Sequence, residues 1–196
     1  MKLTNDKMKS VAVFCGSNFG NDAVYLNATN DLAGILVKNN MRLIYGGGAV
    51  GLMGAIADKV LELGGEVIGV IPEKLSKAEI AHKNLTKLHV VPGMHERKAL
   101  MADLADCFIA LPGGIGTLEE IIEVFTWTQL GFHNKPCGIL NTNGFYDKLF
   151  DLLTGMCKEG FIKEYHLNLL VFERDPESLL KALLNQKIIY QPKWIK

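Results

Sequence analysis

Seven short apolar runs rich in β-formers recur along the chain, at residues 11–15, 42–45, 67–71, 88–91, 107–111, 137–140 and 169–172. Between them, apolar residues return at helical spacing over 23–38, 52–63, 96–105, 118–130, 146–158 and 177–184. A strand that is apolar on both faces must be covered on both. This alternation therefore predicts a doubly wound, Rossmann-like α/β fold, with a mostly parallel sheet and helices on each face. A chain of 196 residues with 48% hydrophobic content fills one sizeable core. A single domain over 1–196 is expected, with its core at about 10–187 and a loose tail at 191–196 that contains Pro192.

Charge and cysteine usage exclude several classes of function. Basic and acidic residues number 21 each, so the formal net charge is zero and no global field draws the chain to nucleic acid or to an anionic membrane. Any phosphate must be held by local charge. Cys15, Cys107, Cys137 and Cys157 lie far apart, without zinc-site or redox-pair spacing, which suggests buried thiols in a reducing compartment. The five histidines form no ligand pattern, so no metal is expected. The polar start of the chain and the short apolar run ending before Gly16 do not make a signal peptide, and no run approaches the length of a membrane span. A cytoplasmic protein is expected.

In open sheets of this kind ligands sit beyond the carboxyl ends of the strands, and three of those ends are glycine-rich. After the first strand, Gly16 would let backbone amides approach a ligand and Ser17 could hydrogen-bond it, although a strand-to-helix turn uses such residues anyway. After the second, Gly46-Gly47-Gly48-Ala49-Val50-Gly51 satisfies G-x-G-x-x-G, with Glu66 twenty residues beyond Gly46. The ribose-binding acid of a dinucleotide fold should close the next strand, whereas Glu66 opens it, so the nicotinamide reading weakens. A glycine turn able to form a pocket wall remains, with Gly46 and Gly47 as its candidate contacts.

The third loop, Pro112-Gly113-Gly114-Ile115-Gly116-Thr117, is the most specific. Its glycines free successive N–H groups to point inward, and the following helix adds the positive end of its dipole, which makes an anion cradle. Thr117 would bond a phosphate oxygen or cap that helix. With the helix starting near residue 118, Glu119 and Glu120 fall in its first turn, where an acid is favoured by the dipole alone. Glu120 gains a second reading if the cradle holds a 5'-phosphate, because the attached ribose would extend toward nearby side chains. Before the same strand, Arg97 and Lys98 open a helix at the end where cations oppose the dipole, and Arg97 offers a planar fork of donors for phosphate or carboxylate.

Met94-His95-x-Arg97-Lys98 followed by Pro112-Gly113-Gly114-x-Gly116-Thr117-x-x-Glu120 resembles the LONELY GUY phosphoribohydrolases that activate cytokinins. The likeness continues through Phe14-Cys15-Gly16-Ser17, Tyr45-Gly46-Gly47-Gly48 to Gly54, Thr126-Trp127-x-Gln129-Leu130-Gly131 and Gly160-Phe161-Ile162, covering roughly residues 11–162. The resemblance implies a Rossmann-like homodimer that cleaves N6-substituted adenosine 5'-monophosphates, or AMP itself, without metal or other cofactor. It also implies Arg97 and Glu120 as the catalytic pair, residues 113–117 as the phosphate loop, and Glu79, Lys98 and Thr126 as further nucleotide contacts. The context Ser76-Lys77-Ala78-Glu79-Ile80 departs from the proline-containing pattern of the family, which weakens the assignment of Glu79.

The expected reaction is hydrolysis of the N-glycosidic bond of a purine ribonucleoside 5'-monophosphate to free base and ribose 5-phosphate. Glu120 would stand beside the oxocarbenium-like centre and Arg97 would orient it or the nucleotide. The competing reading is a binding or carrier protein that holds a nucleotide or phosphorylated cofactor without cleaving it. Some members of the resembling family have been labelled lysine decarboxylases, but the chain lacks a constellation for a pyridoxal phosphate Schiff base.

Overall fold

The computed structural model of the protein describes residues 8–77 and 81–189. The strands are β1 (Ser10–Phe14), β2 (Arg42–Tyr45), β3 (Val67–Pro72), β4 (Lys87–Val91), β5 (Cys107–Ala110), β6 (Cys137–Leu140) and β7 (Leu170–Glu173). All pair in parallel in one sheet of order β4-β3-β2-β1-β5-β6-β7. The helices are α1 (Ala23–Lys38), α2 (Gly51–Glu62), α3 (Glu73–Lys77), α4 (Met94–Leu104), α5 (Ile115–Leu130), α6 (Asp147–Lys158), α7 (Glu164–Leu167) and α8 (Pro176–Asn185).

Alternation within each strand divides the core in two. Val11 and Val13 face the layer of α1, α2 and α8, packing with Leu36, Ile56 and Leu183. Their neighbours Ala12 and Phe14 face the opposite layer, where Met101 of α4, Val124 of α5 and Leu153 of α6 close over the sheet. Both faces of the central strands are thus dry, as their sequence demanded. β4, at one edge, shows mixed exposure instead. Local chemistry sets the helix starts. Asp22 accepts from the N–H of Val24 at 2.9 Å and caps α1, while Asp175 caps α8 ahead of Pro176.

One boundary differs from the expectation in a way that matters, and two short helices were not expected. Helix α5 begins at Ile115, because Gly114 takes the N-cap position without a side-chain cap. Glu119 and Glu120 therefore lie beyond the first turn, and dipole stabilisation at the helix start does not explain them. Thr117 is the third helical residue and so is not the cap. Helices α3 and α7 were not legible, being five and four residues long, too short to show a period.

Among the described residues no helix is long and apolar enough to cross a membrane, and no group of metal-ligating side chains is gathered.

Candidate active site

The order of the strands reverses between β1 and β5, so the crevice beyond their carboxyl ends is where the topology opens a binding site. The two loops there are stitched together: the N–H of Leu111 donates to Phe14 O at 2.9 Å and that of Gly16 to Pro112 O at 3.1 Å. The amide of Gly16 is thereby committed to the scaffold and does not face a ligand. A Cβ on Gly16 would come within 3.3 Å of the Gly113 Cα, so closeness of the two loops is what requires glycine there. A cavity of about 210 Å³ opens beside them, bounded by Gly16, Ser17, Gly113 and Gly114 and walled by Tyr25 and Phe145. Ser17 is exposed at its mouth.

The turn into α5 has two kinds of glycine. A Cβ on Gly113 would strike the Thr117 hydroxyl, and the buried Thr117 side chain packs over this residue. Gly114 and Gly116 are exposed, and a Cβ at either meets no described atom within 4 Å. Neither needs a left-handed backbone: Gly114 has φ −88° and Gly116 is helical. Packing and conformation therefore leave these two positions unexplained, while the N–H groups of the first helical turn around them have no acceptor within the helix. A ligand approaching the backbone closely would account for both facts. Between them Ile115 points outward, 83% exposed.

Arg97 of α4 and Glu120 of α5 are both buried and bonded to each other, with Nη1 donating to Oε1 at 2.5 Å. The Arg97 Nε donates to the carbonyl of Val70, the β3 residue below it, at 3.2 Å. Its Nη2 lies against Gly46, where any Cβ would collide with it. Gly46 is thus the floor of the arginine, a role its motif did not suggest. Burial raises Glu120 above the usual carboxylate range, and the adjacent guanidinium pulls the other way. The unfavourable placement of Arg97 near a helix start is compensated by this carboxylate. Removing one member of such a buried pair strands the other charge, at a cost of about 3–5 kcal/mol.

The remaining expected contacts lie apart from this pair. The Lys98 ammonium donates to Glu119 at 2.5 Å and to Glu123 at 3.0 Å, and these bonds raise its pKa. Thr126 donates to the Ile122 carbonyl at 2.7 Å. Helical spacing puts Thr126 on the stripe of Glu119 and Glu123 and turns it away from Glu120. Gly47 adopts φ +75° and supports the turn from behind Gly46. Glu79 lies outside the described residues.

Among the described residues, the cavity lining stops short of Arg97 and Glu120. The cavity leans toward α1 and α2, whereas the pair stands on helices of the opposite layer, and the Gly113–Gly114 turn separates them. A ligand touching both must straddle the carboxyl ends of the strands at this turn. Tyr25 and Phe145, whose rings meet edge to face at 5.8 Å, were missed in the sequence because each sits in an ordinary apolar context. Burial pushes the Cys15 thiol up, so it stays protonated beneath the site.

The family model described as possible lysine decarboxylase matches residues 53–183. A cytokinin riboside 5'-monophosphate phosphoribohydrolase of Arabidopsis thaliana is 42% identical over 99% of this chain and 87% of its own. One from Rhodococcoides fascians is 47% identical over 89% of each. Among solved structures, the molybdenum cofactor carrier protein of Chlamydomonas reinhardtii superimposes with a TM-score of 0.68 at 18% identity, over 92% of this chain and all of the other. That likeness is one of fold. With a family model across most of its length and relatives above 40% identity over most of the rest, the chain belongs to the LONELY GUY (LOG) family of phosphoribohydrolase-like proteins.

Proposed function

We propose that the protein hydrolyses the N-glycosidic bond of adenosine 5'-monophosphates, plain or N6-substituted, releasing the base and ribose 5-phosphate. The observation that carries this reading is one helix serving two tasks. The start of α5 offers open glycines and free amides, and the buried Glu120 follows about 7 Å further along the axis, at 1.5 Å per residue. A 5'-phosphate seated on Gly114, Ile115 and Gly116 directs its ribose toward that carboxylate.

Departure of the base builds positive charge at C1', and the carboxylate of Glu120 stabilises it. The same group polarises the attacking water, whose oxygen bonds to C1' as the C1'–N bond breaks and the base takes the proton. Arg97 is too basic to serve as an acid. It holds Glu120 in place and helps to keep it ionised against the pull of burial. Ser17, Gly16 and Gly113 border the phosphate end, and Gly46 and Gly47 support the arginine. Glu79, Lys98 and Thr126 are retained as contacts implied by family motifs.

The description possible lysine decarboxylase does not fit this site. A Schiff-base lysine needs a neutral amine, whereas Lys98 is bound by two carboxylates that favour its charged form. A nicotinamide enzyme is also disfavoured. Glu66 pairs with Arg42 at 2.7 Å before β3, at the amino ends of the strands and so opposite the glycine turn.

We further propose a cytoplasmic homodimer. The free thiols of Cys15, Cys107 and Cys137 suit a reducing compartment. Exposed Met94 and Ile115, at the starts of adjoining helices, supply apolar surface for a second subunit. The test is a chromatographic product assay on AMP, N6-isopentenyl-AMP, GMP, CMP and adenosine. Free adenine from AMP and none from adenosine is expected. Binding of AMP without release of base would make the protein a carrier.

A further inference from the structure

We infer that His82 is a positioning residue for the Arg97–Glu120 pair, acting through the turn at Gly46–Gly48 and fastened by Asp58. His82 is buried at 7% exposure, outside every motif noted above. Its Nε2 lies 2.9 Å from Asp58 Oδ1, and its Nδ1 lies 3.1 Å from the N–H of Asn84. An amide can only donate, so Nδ1 accepts, and Nε2 carries the proton and donates to Asp58. Two partners thus fix both the tautomer and the ring.

The backbone of the same residue reaches the catalytic side of the molecule. The N–H of His82 donates to Gly47 O at 2.9 Å, and Ala81 forms an antiparallel bridge with Gly48. From the other side, a Cβ on Gly69 would fall 2.9 Å from the Gly47 Cα, so β3 leaves the turn no room to settle inward. The turn is therefore held between β3 and the segment that His82 anchors. Its first residue, Gly46, is the one against which the Arg97 guanidinium rests. Loosening His82 releases the outer wall of the turn, then the floor of Arg97, then the carboxylate that Arg97 holds.

His82 is buried whereas Asp58 is largely exposed on α2, so Asp58→Ala removes the fastening of the ring without opening a cavity in the core. A positioning role and a merely structural one are thus separable. The kinetic arm of the test rests on the hydrolase reading; a second arm does not. In ¹⁵N-labelled protein, solvent exchange of the Arg97 Nε–H reports directly on the bond to Val70. His82→Ala is expected to speed that exchange at least about tenfold and to lower kcat for AMP about tenfold or more, with KM within about threefold, and Asp58→Ala to keep the unfolding temperature nearly unchanged. His82→Gln, which still donates to Asp58, is expected to restore most of both. Asp58→Ala, at an exposed helical position, should reproduce part of the loss and serves if His82→Ala does not fold. Unchanged Arg97 exchange in folded His82→Ala or Asp58→Ala protein would overturn the inference, as would a Gln variant no better than Ala. Should the unmodified protein release no base from AMP, the hydrolase reading fails and the exchange measurement alone decides the role of His82.

Discussion

The turns at 46–54 and 112–117 look alike as strings of glycine between a strand and a helix, yet their glycines answer to different neighbours. In the first turn, a Cβ at Gly46 would meet Arg97, one at Gly51 the Ser17 backbone at 2.3 Å, and one at Gly54 the Ala49 carbonyl at 2.4 Å. The protein itself consumes that space. In the second turn, Gly114 and Gly116 border open space. The difference separates glycines kept for packing from glycines that leave room for something the chain does not contain. Under the proposed function the phosphate belongs at the second turn, while the first is a scaffold for the arginine.

The largest effect should come where the two regions meet. Arg97→Ala and Glu120→Gln are each expected to cut kcat for base release at least about a hundredfold, from loss of about 2.7–4 kcal/mol of transition-state stabilisation, while unfolding stays cooperative. Retained turnover in either variant removes the pair from the chemistry. Next, Gly54→Ala should destabilise the fold by about 1–3 kcal/mol in denaturant titration, because its Cβ meets backbone that cannot swing aside. Gly116→Ala should do the opposite. The fold gains about 0.4–1 kcal/mol from a stiffer unfolded chain, while KM for AMP rises about tenfold as the methyl group crowds the phosphate. If Gly116→Ala leaves KM unchanged, or if Gly54→Ala changes KM and not stability, the division of roles collapses.

The smallest expected effect is a shift in pH dependence. Glu120 must be ionised to stabilise positive charge, and its burial raises its pKa, so kcat should fall as pH is lowered through a value above the ordinary carboxylate range. Gly46→Ala displaces the guanidinium that opposes this rise, so the acid limb should move to still higher pH. Gly114→Ala should leave the limb in place.

Much of this arrangement was legible because it depends on periodicity. The doubly apolar strands gave the seven-stranded layer, whereas the pairing of Arg97 with Glu120, 23 positions further on, was implied by the family resemblance. Less legible was anything set by contact across the fold. Sequence placed Glu120 in a first turn because the apolar spacing starts at Leu118, whereas Gly114 caps the helix and shifts the start. Lys98 reads as a free cation beside Arg97, but one step along a helix turns a side chain by about 100°, toward Glu119 and Glu123. Phe145 and His82 gave no signal, since an isolated aromatic or histidine acquires meaning only from what the fold sets against it.

The most direct measurement is a crystal structure of the Glu120→Gln variant with AMP. The account predicts phosphate oxygens within hydrogen-bonding distance of the amides of Gly114, Ile115 and Gly116, and C1' of the ribose beside residue 120. A phosphate bound elsewhere with that turn vacant, or a ribose directed away from residue 120, would contradict it.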